Sequence, residues 1–107
     1  MQKAKFWIAT EAGAIEVDGF KPTADSLMAI HDTHLGFDVT FIKTGTKVTS
    51  LFEKYRHDPA VLCARIMLFE LKYAIQFCAL LDLPWGCRSL PPEYAEVSAM
   101  LKEAAQA

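Results

Sequence analysis

Two histidines three residues apart, in His31-Asp32-Thr33-His34, are the residues whose types and spacing most invite chemistry. On a helix, side chains at i and i+3 are neighbours, so such a pair can share a metal ion. A working site needs a third ligand, which would have to come from His57, Asp58 or Cys87. The spacing matches neither H-E-x-x-H nor a zinc-finger pattern. The competing reading places both rings beside a core, each satisfied through one ring nitrogen, or on a surface as pH-sensitive groups.

Nucleophile candidates are fewer. Cys63 and Cys78 fall inside an apolar segment, where a thiol behaves as a small hydrophobe. Cys87 lies in the loop from Pro84 to Pro92, and its neighbour Arg88 can lower the thiol pKa. The same proline-bounded loop carries Trp85, and Trp with Arg is the composition of an interface anchor. Alternatively, Trp85 folds back to close the end of the preceding helix. Glu70 is surrounded in sequence by apolar residues, so its carboxylate must be paired, protonated or placed at an edge. The chain contains no G-x-S-x-G, P-loop or G-x-G-x-x-G motif. Candidate binding positions are therefore His31, His34, Glu70, Trp85, Cys87 and Arg88. No catalytic residue, metal or cofactor is assigned.

The elements that must position these residues can be read from periodicity. Residues 3–10 and 14–20 alternate as strands, joined by Glu11-Ala12-Gly13-Ala14 into a hairpin. A helix is expected over 23–36, with Thr23 as N-cap, Gly36 just past its end, and Ala24, Leu27, Met28, Ile30 and Leu35 forming an apolar arc. A third strand follows at 37–43, where Phe37, Val39 and Phe41 share a face. Val48, Leu51, Phe52 and Tyr55 then stand at i, i+3, i+4 and i+7, which predicts a helix over 46–57. Asp58 can cap the next helix and Pro59 fits its first turn. That helix is expected to run to Leu83, ahead of Pro84, with apolar residues around most of its circumference. A last amphipathic helix is expected over 91–105, through Tyr94, Val97, Leu101 and Ala104. The order ββαβααα implies an α+β fold. A three-stranded antiparallel sheet (ββαβ) would be followed by three helices, one of them long and central.

Length and composition bound the rest. The 107 residues suit a single domain, 1–107, and a composition 52% hydrophobic and 22% charged is enough to build a core. The net charge of −2 gives no global cationic field, which weighs against nucleic acid. The exception is a local basic face over 43–56, with Lys43, Lys47, Lys54 and Arg56. Three cysteines without a C-x-x-C pair suggest a reducing, cytoplasmic setting. Arg65, Glu70, Lys72 and Gln76 interrupt the most apolar stretch, so a membrane span is not expected. These readings favour a non-enzymatic protein-binding module, such as a small accessory or inhibitor protein of bacterial or phage type. The wide apolar surface of the 60–83 helix suggests a homodimer. The alternatives are a small metal- or ligand-binding enzyme centred on His31 and His34, and a nucleic-acid-binding domain using the 43–56 face.

Overall fold

The computed structural model describes residues 1–73 together with 85, 86 and 99. Five strands come first: β1 (Gln2–Thr10), β2 (Gly13–Lys21), β3 (Met28–Thr33), β4 (Gly36–Phe41) and β5 (Thr46–Lys47). They pair antiparallel in sequential order, β1-β2-β3-β4-β5, as a meander. A 3-10 helix, Thr49–Tyr55, and the helix α1, Pro59–Lys72, complete the described elements. This overturns the expected three-stranded sheet with three helices. The helix expected over 23–36 is strand β3 with its flanking turns. The one expected over 46–57 is β5 followed by the 3-10 helix. Of the 60–83 helix, the structure describes α1, which ends at Lys72 with Tyr73 as its C-cap. Positions 74–83 and the 91–105 helix lie outside the described residues.

The second hairpin explains the correction at 23–36. Thr10-Glu11-Ala12-Gly13 and Thr33-His34-Leu35-Gly36 form matching turns. Each threonine Oγ1 donates to the glycine carbonyl, at 2.7 Å and 2.6 Å, and accepts a backbone N–H two residues on. Gly36 has φ +115°, a conformation that suits glycine, so it closes a hairpin instead of ending a helix. Met28 and Ile30, which had marked a helical stripe, instead share one face of β3 at a spacing of two.

Where β2 turns into β3 the ladder narrows to the single pair Phe20↔Ile30. A side chain on Gly19 would overlap the Ile30 carbonyl there, so only glycine lets the strands approach. The sheet also curls. The Ala9 N–H donates to the Gly45 carbonyl at 3.0 Å, tying β1 to the β4–β5 turn.

The core lies between one sheet face and the helices. Met28, Ile30, Val39 and Phe41 meet Val48, Leu51 and Phe52, and then Leu62, Cys63, Ile66 and Phe69 of α1. Phe52 is fully buried and meets Phe69 edge-on, with ring centroids 5.3 Å apart. Its φ of −124° breaks the helical geometry of the 3-10 segment, which is why no continuous amphipathic helix forms across 46–57. The start of α1 follows its sequence: Asp58 accepts from the Val61 N–H at 3.2 Å, and Pro59 occupies the first turn. No helix among the described residues is long and apolar enough to cross a membrane.

Candidate functional site

Alternation along β3 and β4 sends Met28, Ile30, Val39 and Phe41 into the core and leaves His31, Asp38 and Thr40 on the other face. His31 and Asp38 are direct cross-strand partners. Asp38 Oδ1 accepts from the Arg56 guanidinium at 2.9 Å and from Thr49 Oγ1 at 3.2 Å, with the Lys47 ammonium 3.7 Å away. Thr49 Oγ1 in turn accepts from the Val39 N–H at 3.0 Å. One carboxylate thus ties β4 to β5 and to both ends of the 3-10 helix.

Beside this hub lies a pocket of about 350 Å³ between β1, β3, β4 and the β4–β5 turn, lined by Ile8, Thr10, His31, Asp38, Thr40 and Lys47 among others. The His31 ring packs edge-on against Phe6, centroids 5.9 Å apart. Burial pushes its pKa below the usual histidine range; Asp38 pulls upward less strongly, and Lys47 adds to the lowering. Its Nδ1 is buried without a hydrogen-bond partner. With Nδ1 sealed off, Nε2 is the ring nitrogen left to make a hydrogen bond. The site can therefore bind through hydrogen bonds and charge. Cys63, the buried thiol of α1, belongs to the core on the opposite face of the sheet.

His34 is exposed in the β3–β4 turn, while His31 is half-buried within the strand. With His31 inside the strand and His34 beyond its end, the two rings are not stacked on one face as they would be on a helix. Among the described residues, no group of three or more His, Cys, Asp or Glu side chains is placed to hold a metal ion. Trp85 is about half-exposed, and its ring edge rests over Gly45, a lining residue of the pocket. The adjacent Gly86 N–H donates to the Thr44 carbonyl at 2.9 Å. His31 and Trp85 therefore flank one turn, a juxtaposition that their spacing of 54 positions conceals. Cys87 and Arg88 lie outside the described residues.

The basic face of 43–56 is not a single surface. Arg56 is turned inward, 13% exposed, on Asp38 and Glu53, while Lys54 lies over the Tyr55 ring. Asp38 and Thr49 are site residues that sequence reasoning missed, while Lys47 and Arg56 had been read as part of the basic face. The alternation of Phe37, Val39 and Phe41 did place Asp38 on the opposite face of its strand. Its partner His31 went unrecognised because 23–36 read as a helix.

Glu70 is half-buried at the other end of β3. Its Oε1 accepts from the N–H groups of Leu27 and Met28 at 3.0 and 3.2 Å, satisfying the start of the strand. Burial raises its pKa, and the two backbone donors pull it down less strongly. A raised folded-state pKa means stability is fully present below the ordinary glutamate pKa and is lost as pH rises through the folded value. Glu70→Gln keeps an acceptor oxygen and removes the buried charge. It should match the parent in acid and be at least as stable near neutrality. Glu70→Ala leaves two donors unpaired and should lose about 1–3 kcal/mol at both pH values. Denaturant unfolding of the two variants at acidic and neutral pH checks this; equal losses would contradict the acceptor role.

The outer side of α1 is the other feature. Val61, Met67, Leu68 and Leu71 lie along one arc of the helix, on the far side from Leu62, Cys63, Ile66 and Phe69, and are 39, 46, 61 and 82% exposed. Comparison of the chain with protein-family models, with curated proteins and with solved structures finds no match.

Proposed function

We propose that this chain is a non-enzymatic protein-binding module, of the accessory or inhibitor kind, whose contact surface is the outer face of α1. The observation that carries the reading is the continuous apolar arc of Val61, Met67, Leu68 and Leu71. Single exposed apolar residues are ordinary, but several on one rigid face are characteristic of a contact surface. The helix already buries Leu62, Cys63, Ile66 and Phe69 on its inner side, so the outer arc is surplus to the core of the described residues. A helix presenting apolar anchors at i, i+6, i+7 and i+10 suits a groove on a partner, or the same face of a second copy.

The test uses Leu68→Glu/Leu71→Glu, which places charges on the arc without touching the core. Exposed positions tolerate such changes within about 0.5 kcal/mol, so the variant should melt with the parent. It should also lose capture of the partner retained by the parent in a pull-down from native host cells. Sedimentation across a concentration series separates the two occupants: a second copy shows as a dimer that the variant abolishes. A variant that keeps every interaction of the parent, self-association included, would refute the reading.

A further inference from the structure

We propose that the pocket between β1, β3 and β4 binds a small organic monocarboxylate, held between the Lys47 ammonium and the Nε2–H of His31. The pocket holds about 350 Å³, at the low end for small-molecule sites. Its charge arrangement supplies the first argument. Two cations, Arg56 and Lys47, share the single oxygen Oδ1 of Asp38. Arg56 holds it at 2.9 Å and is 13% exposed, whereas Lys47 stands at 3.7 Å and is 59% exposed. Arg56 is also shared with Glu53 at 3.1 Å, so it is committed to two carboxylates, and Lys47 is the loosely held, accessible cation of the group. A carboxylate entering the pocket would meet Lys47 through a charge-assisted hydrogen bond.

The second argument is the imidazole. Nδ1 is sealed without a partner, which leaves Nε2 as the ring nitrogen that can meet a ligand, as a donor when it carries the proton of the neutral ring. The ring is fixed against Phe6, so this donor is preorganised. Ile8 and Ala9 supply an apolar wall for a short aliphatic body. Glu11, exposed on the β1–β2 turn, also lines the pocket. The apolar wall of Ile8 and Ala9 favours a carboxylate with an aliphatic body over inorganic phosphate.

The proposal is tested by NMR titration of the isotopically labelled full chain with sodium butyrate, inorganic phosphate and 1-butanol in parallel. Butyrate should give saturable shifts at Lys47, the His31 ring and the Ala9 amide, with phosphate weaker and butanol without effect at these positions. Lys47→Met, at an exposed side chain, should fold as the parent and weaken butyrate binding by about tenfold, one charge-assisted contact. His31→Phe keeps the ring packing and should weaken it as well. Shifts that never saturate, phosphate binding tighter than butyrate, or butyrate binding unchanged in Lys47→Met would each overturn the assignment.

Discussion

Phe52→Ala is expected to destabilise the protein by about 4 kcal/mol and to lower Tm by roughly 20 °C. Phe52 is fully buried at the point where the 3-10 helix, the sheet and α1 converge, with the Phe69 ring edge-on at 5.3 Å. Truncation removes the transfer energy of the ring and the aromatic contact, and leaves a cavity that three elements would have to close together. Leu71→Ala on the same helix assembly is the internal contrast: at 82% exposure it should change stability by no more than about 0.5 kcal/mol. Urea unfolding of both variants measures the difference. A loss under about 1 kcal/mol for Phe52→Ala would show that the core is not organised around this ring.

The second large effect concerns a charge. Among the described residues, Asp38→Ala removes the one carboxylate that accepts from Thr49 Oγ1 and the shorter of the two ion pairs of Arg56, whose Nε already lacks a partner. Stranding a mostly buried guanidinium costs about 3–5 kcal/mol. The lower end applies, because Glu53 still reaches the Arg56 NH1 at 3.1 Å. A loss of about 3 kcal/mol is therefore expected. The double variant Asp38→Ala/Arg56→Met should recover more than half of it, because most of the penalty is the unpaired cation and not the lost attraction. If the double variant is no more stable than the single one, Asp38 is not acting through Arg56.

Several elements were legible from local pattern alone. The β1–β2 hairpin was, because strict alternation on both sides of a glycine turn has few other solutions. Strand β4 was, from Phe37, Val39 and Phe41. The start of α1 was, because Asp58-Pro59 provides both a capping acceptor and a residue that loses nothing in the first turn. That Glu70 must be paired, protonated or placed at an edge was equally plain, since a carboxylate among apolar neighbours cannot remain unsatisfied.

The identity of those partners was not legible. They are backbone N–H groups 42 and 43 positions away, and nothing local to Glu70 points to them. Residues 24–35 show the same limit more sharply. Met28 and Ile30 fit both a strand face and a helical arc, and Gly36 suits both a hairpin turn and a helix end. Six cross-strand pairs with β4, the Glu70 acceptor at the strand start and the Gly19 approach to Ile30 select the strand. Each of these contacts joins residues that are distant in the chain or belong to separate strands. Helix propensity spans only a few tenths of a kcal/mol per ordinary residue, whereas an unpaired strand edge and an uncovered core face cost far more. The pairing of His31 with Asp38, and with it the pocket, follows from that choice between strand and helix.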